Sequence, residues 1–269
     1  TRPPVTTDLA AWYDASQVTS LTDGATVAQW RECSGSGMGD LTARNNSVAQ
    51  PQFTFRTSVP QLGGRPAVHL SGGFSPQLAG AENQIYLRAD ANAALQSSEY
   101  TIFAVVANAT FTNAALINVL DNSHGTFGYT DVDDTVNEAA MIGYAGVNAF
   151  HSTSMGNFAQ ANGTSLGTAG IIEGLFGTTA TDTRCAANGV LGAPPGMGGS
   201  PTNFANIPRG IKIGHWEFWH ANWTYPTADI SEILIYRRKL NYAERNLVGS
   251  YLADKYGLST SYTRPMALS

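Results

Sequence analysis

The chain has 269 residues, enough for one large or two small domains; only 13% of them are charged, and 28 are glycine. Its formal net charge of −5 gives no long-range attraction to nucleic acid or anionic lipid. No apolar run reaches the roughly 18 residues a membrane-spanning helix needs, so neither nucleic acid nor membrane insertion is expected.

Residues 1–8 form a Pro- and Thr-rich lead-in. From 9 to 257, short apolar runs alternate with Gly, Asn, Asp and Ser clusters, the pattern of many strands joined by tight turns. Strands are predicted at 9–14, 66–71, 100–107, 114–120, 138–145, 170–177, 184–191, 210–214 and 229–236. The run 100–107 is almost continuously apolar, which predicts a central strand buried on both faces. Asn188-Gly189 between apolar flanks predicts a hairpin turn. The stretch from Ala193 to Ile207 is rich in Pro and Gly and predicts a long surface loop. Asn241, with Glu244 three residues on, has the spacing of a capping box. Leu247, Val248, Tyr251, Leu252 and Tyr256 then repeat at helical period, and Gly257 ends the helix. Residues 258–269 form a tail with no core of its own, either disordered or packed on a neighbour. No internal repeat is visible, so the expected organisation is a single body over 9–257.

The C-terminal residues Asp229, Ile230, Glu232, Tyr236, Leu240, Glu244, Arg245, Tyr251, Leu252, Lys255, Tyr256 and Gly257 resemble the end of laminin-G-like, concanavalin-A-like domains. Leu9–Ser16 resembles the first strand of that family, and Val27–Gly37 its Trp-x-x-x-Ser-Gly-x-Gly turn. Gly64–Val68, Tyr100–Val106 and the Asn188-Gly189 hairpin fall where the family places similar elements. The resemblance implies an all-β fold, a jelly-roll β-sandwich of two antiparallel sheets with a C-terminal α-helix. It does not select a function, because this sandwich hosts lectins, adhesins, glycosidases, lyases and structural modules.

The segment 215–225 holds three of the five tryptophans. Aromatic rings cover the flat C–H faces of sugars, and amides, carboxylates and imidazoles satisfy their hydroxyl rims. Trp216, Trp219, Trp223 and Tyr225 are candidate stacking platforms, with His215, Glu217, His220 and Asn222 as hydrogen-bonding partners. The alternative is that these aromatics fill the sandwich core. Asp131, Asp133 and Asp134 offer closely spaced oxygens for calcium, without the glycine and glutamate of an EF-hand; the other reading is an acidic solvated loop. Cys33 and Cys185 are read either as a disulfide, worth about 4–5 kcal/mol in the chain-entropy account, or as two separate buried thiols.

No catalytic residue stands out. The Glu-x-Asp-x-Glu run of concanavalin-A-like β-glucanases is missing. Asp229 and Glu232, three apart on a strand, are expected on opposite faces. Gly163–Gly167 matches Gly-x-Ser-x-Gly but lies among turn residues. His69, on a strand, and His151, near a turn, read as satisfied or exposed histidines rather than bases.

Three functions follow as expectations. The first is non-catalytic carbohydrate binding or adhesion on a secreted, cell-surface or virion-surface protein, with a glycan or polysaccharide as partner. The second is a structural decoration or appendage protein of a virion or fibre, bound to protein neighbours. The third is a glycoside hydrolase or polysaccharide lyase.

Overall fold

The computed structural model describes residues 1–45, 53–71, 73–76, 85–111, 116–121, 137–143, 146–154, 157–199, 206–214 and 222–264. Among them, the strands in chain order are β1 (Leu9–Asp14), β2 (Gln29–Trp30), β3 (Leu41–Asn45), β4 (Thr54–Val59), β5 (Arg65–Leu70), β6 (Gly73–Pro76) and β7 (Ile85–Ser97). Then come β8 (Tyr100–Thr110), β9 (Ile117–Asp121), β10 (Asn137–Ile142), β11 (Asn148–Ser154), β12 (Asn157–Asn162) and β13 (Ala169–Phe176). The remainder are β14 (Arg184–Ala187), β15 (Val190–Leu191), β16 (Gly196–Gly198), β17 (Ile207–Ile213), β18 (Asn222–Tyr225) and β19 (Thr227–Tyr236), followed by the helix α1 (Tyr242–Tyr256).

The fold is an all-β sandwich of two antiparallel sheets with a C-terminal helix, as the sequence predicts. One sheet has eight strands in the order β15-β14-β13-β8-β19-β5-β4, with β1 paired to β19. The other has nine, in the order β16-β12-β11-β10-β9-β17-β7-β3-β2. The two ends of the chain therefore meet, with Leu9 opposite Tyr236 and Asp14 opposite Glu232. The long strand β7 carries Arg, Ala, Leu and Gln, residues of weak strand preference, and tertiary pairing overrides that preference.

Two apolar clusters lie on opposite faces of the eight-stranded sheet. Ile102, Ala104 and Val106 of β8 join Leu87, Ile117, Val119 and Ile211 of the other sheet in the inter-sheet core. Phe103, Val105 and Ala107 face the other way and join Val248, Leu252 and Tyr256 of α1. β8 is thus buried on both faces, and each fully enclosed side chain of this kind contributes about 1.5–3 kcal/mol. The helix forms where its capping box predicts: Asn241 Oδ1 accepts from Glu244 N, Glu244 Oε2 accepts from Asn241 N, and Gly257 takes a left-handed φ of 66°.

The lead-in and residues 258–264 pack onto this body. Val5 is buried, and its carbonyl accepts from the Tyr236 hydroxyl. In the tail, Tyr262 donates to Glu173 Oε2, Ser261 N to Asn188 O, and Thr263 N to Asn246 Oδ1. The stretch 258–264 is thus a strap held by its own helix, by β13 and by the β14–β15 turn, where the sequence suggested disorder or a neighbour. The expected surface loop from Ala193 to Ile207 contains the short edge strand β16, paired with β12. His151 lies inside β11 and is fully buried rather than near a turn.

Candidate functional site

The residues that carry the family resemblance build an interior network. Lys255 donates to Asp14 Oδ2 at 2.6 Å and to Glu232 Oε2 at 2.7 Å. Glu232 also accepts from Trp12 Nε1 at 2.7 Å and from the Tyr256 hydroxyl at 2.8 Å. Burial pushes the Glu232 carboxyl above its ordinary range, against the pull of Lys255. A second ion pair joins Arg245 to Glu173 beneath the strap. These groups tie β1, β13, β19 and α1 together and face no open surface.

Asp229 does not lie on the opposite face from Glu232, as strict alternation requires. The ladder between β19 and β8 shifts between Ile230 and Glu232, a β-bulge centred on Ser231. Ala228, Ile230 and Ile233 point into the inter-sheet core, so Asp229 and Glu232 both point outward, toward the helix side.

Asp229 anchors a polar cluster at one end of the eight-stranded sheet. One carboxylate oxygen lies 2.7 Å from His69 Nδ1, and the other accepts from Asn108 Nδ2 at 2.7 Å. Burial raises the Asp229 carboxyl, but the bonds from His69 and Asn108 outweigh it and hold the group below its ordinary value. A carboxylate on Nδ1 fixes the imidazole so that Nε2 is the nitrogen left for other partners. His69 is paired, as the sequence reading expects, yet 17% of its side chain remains exposed. Thr54 pairs with His69 and Arg56 with Ala67, which puts Thr54 and Arg56 on the same outer face. Arg56 is half-buried, lies close enough to lower Asp229, and makes no hydrogen bond or ion pair among the described residues.

The ladder that holds this cluster continues past the sheet. His69 pairs with Asp229 and Leu70 with Ala228; beyond them Gly73 pairs with Tyr225, Ser75 with Trp223 and Pro76 with Asn222. β6 and β18 are therefore a two-stranded ribbon in the same register as β5 and β19. The candidate positions Asn222, Trp223 and Tyr225 lie on this ribbon. His215, Trp216, Glu217, Trp219 and His220 lie outside the described residues, as do Asp131, Asp133 and Asp134. Among the described residues no group of three or more His, Cys, Asp or Glu is placed to hold a metal ion, and no helix is long and apolar enough to cross a membrane.

The disulfide reading is corrected. Both cysteines are free. Cys185 points into the inter-sheet core, whereas Cys33 packs on the helix-side cluster, so the eight-stranded sheet separates them. Burial pushes the Cys33 thiol up to about 11 and the Cys185 thiol up to about 12.

A second constellation escaped the sequence reading. Across the nine-stranded sheet, Thr42, Arg88, Lys212, Asn118, Met141 and Phe150 stand in one cross-strand row on the face away from the inter-sheet core. The alternation in Tyr86-Leu87-Arg88-Ala89-Asp90 and Ile211-Lys212-Ile213 carries the signal. Lys212 Nζ lies 4.2 Å from the centre of the Tyr86 ring. Arg88, Lys212 and Asn118 are only 7%, 1% and 1% exposed, so this row belongs to the interior rather than to an open contact face.

No family model and no curated protein matches the sequence. Solved structures do. Domain 4 of AbnA, a GH43 extracellular arabinanase from Geobacillus stearothermophilus, in complex with arabinotriose, is 14% identical with a TM-score of 0.54, over 93% of this chain and 98% of that one. The binding domain of botulinum neurotoxin DC, in complex with rat synaptotagmin II, is 10% identical with a TM-score of 0.53, over 92% of this chain and 52% of that one. Trypanosoma rangeli sialidase in complex with sialic acid is 13% identical with a TM-score of 0.51, over 96% of this chain. The chain spans 35% of the sialidase's length. At such identities the likeness is one of fold, a β-sandwich.

Proposed function

We propose that this chain is a non-catalytic carbohydrate-binding or adhesion module of the laminin-G-like, concanavalin-A-like type, carried on a secreted, cell-surface or virion-surface protein. The observation that carries the reading is the ribbon of β6 and β18. It extends one ladder of the sheet beyond the sandwich and bears part of the chain's densest aromatic segment. Trp223 and Tyr225, with Trp216 and Trp219, supply stacking faces; His215, Glu217, His220 and Asn222 supply polar contacts. Support comes from similar folds in complexes with arabinotriose and, for the botulinum neurotoxin DC binding domain, with SialylT. A glycan array tests the reading. Wild-type protein binds at least one glycan class, and Trp219→Ala and Trp223→Ala weaken that binding by about ten-fold or more per lost stacking contact. An array with no signal above background refutes it.

A second reading, attachment to protein neighbours in a larger assembly, is favoured by one observation. From Cys185 to Pro208 no residue carries a charge, and the edge strands β15 and β16 expose Val190, Leu191 and Met197 at 42%, 47% and 48%. Uncharged apolar edges are surfaces that proteins usually protect. Sedimentation of the wild type and of Leu191→Lys separates the readings: glycan binding by a monomer supports the first, and an oligomer that Leu191→Lys dissolves supports the second.

A further inference from the structure

We infer that Lys255 and Asp14 are the partners of an intramolecular amide bond, formed within the folded protein with Glu232 as the proton carrier. This modification is independent of any sugar or protein partner. Three elements bring the groups together: Asp14 ends β1, Glu232 lies on β19 directly opposite it, and Lys255 is in the last turn of α1. Lys255 Nζ is 2.6 Å from Asp14 Oδ2 and 2.7 Å from Glu232 Oε2. Both carboxylates are wholly enclosed, and the amine is 10% exposed. The Tyr251 and Tyr256 rings lie 5.7 and 5.3 Å from Nζ. A primary amine, the carboxylate it touches and a second carboxylate, shielded from water, are the components of an amide condensation.

The geometry supplies each part of the step. With Nζ 2.6 Å from Oδ2 and an ordinary C–O bond, the amine sits about 3–4 Å from Asp14 Cγ, near the approach distance of a reactive arrangement. Burial raises the Glu232 carboxyl, which makes it a stronger base toward the ammonium beside it. Trp12 Nε1 and the Tyr256 hydroxyl donate to Glu232 and hold it in place. Glu232 takes a proton from Nζ, and the nitrogen lone pair attacks Cγ. The oxyanion develops on Asp14 Oδ1, which already accepts from Ser16 N at 2.9 Å. The Cγ–Oδ2 bond then breaks. Two of the three ammonium protons leave with Oδ2 as water, one of them through Glu232, and the third stays on the amide nitrogen. Atoms and charge balance, Glu232 returns to its starting state, and no further reactant is needed.

The product also suits the site. Two ions held away from water carry a large desolvation cost, which a neutral amide removes. The bond would join positions 241 residues apart, from the first strand to the C-terminal helix. Tension applied outside residues 14 and 255 would pass through the bond and bypass the sheets, a useful property for a module that holds a load.

Intact mass spectrometry of the denatured full chain is the test. The wild type should be lighter than its sequence mass by one water, and a proteolytic digest should yield one branched peptide joining Asp14 to Lys255. Lys255→Arg keeps a cation between the carboxylates but has no nucleophilic amine, and it should carry the full mass. Glu232→Gln keeps the shape without the base and should also carry the full mass after the same storage time. The wild-type mass and peptide map decide the matter even if a variant fails to fold. A wild type of full mass that still unfolds cooperatively leaves an ion pair only and overturns the inference. A lost water mapped to other residues refutes this site. A cross-link that persists undiminished in Glu232→Gln overturns the role of Glu232.

Discussion

Gly249→Ala tests whether the C-terminal strap is part of the folded body. A Cβ built on Gly249 falls 2.3 Å from the Tyr262 ring, and one on Gly189 falls 2.9 Å from Tyr262 N. The two glycines form the walls of a slot for the strap. Adding a methyl group to the helix wall expels the ring. The losses are part of an aromatic side chain's burial, about 1.5–2 kcal/mol, and the hydrogen bond to the charged, buried Glu173, about 1.5–3 kcal/mol. Alanine in place of glycine within a helix returns about 1 kcal/mol. The net expectation is a destabilisation of about 2–4 kcal/mol, read by denaturant unfolding. Tyr262→Ala should cost a similar amount. In the Tyr262→Ala background the clash no longer exists, so Gly249→Ala should become neutral or stabilising by up to about 1 kcal/mol. A Gly249→Ala cost that persists unchanged in that background refutes the slot.

Three further outcomes follow from the geometry. Lys255→Met leaves Asp14 and Glu232 buried without their cation and should destabilise the protein by about 3–5 kcal/mol at pH 7. Protonation relieves the bare carboxylates, so the deficit should shrink as pH falls toward 5; a pH-independent deficit contradicts this. Asp229 has a depressed folded pKa, so its stabilising contribution is present above the unfolded value near 3.9 and is lost as pH falls through the lower, folded value. The stability gap between wild type and Asp229→Asn should therefore be full at pH 6 and close progressively below about pH 4. Without reductant, a thiol reagent should find two free thiols per unfolded chain, Cys33 reacting slowly and Cys185 not at all in the native state. Fewer than two restores the disulfide.

What was legible in the sequence was local or strongly periodic. Asn241, Glu244 and Gly257 define the helix ends by hydrogen-bonding chemistry that needs no tertiary information. The almost continuous apolar run of β8 marks a central strand, and Asn188-Gly189 supplies the positive φ values, 51° and 84°, of a tight hairpin. What was hidden depends on register. The bulge at Ser231 has no compositional mark, yet it turns Glu232 to the helix side and makes alternation misleading. The row Thr42–Arg88–Lys212–Asn118–Met141–Phe150 exists only once six strands are aligned. β6 has four residues, one of them Gly and one Pro, too few to announce a strand, so the ribbon that continues β5 and β19 was invisible from residues 73–76 alone. The polar cluster likewise joins residues from β4, β5, β8 and β19 that are distant in sequence.

Hydrogen–deuterium exchange with and without a saturating bound oligosaccharide tests the central claim most directly. Protection is predicted in two segments, residues 54–76 and 222–229, which contain the ribbon and its polar root. Protection confined to the edge strands around residues 190–198, or none at all while the sugar is demonstrably bound, would contradict it.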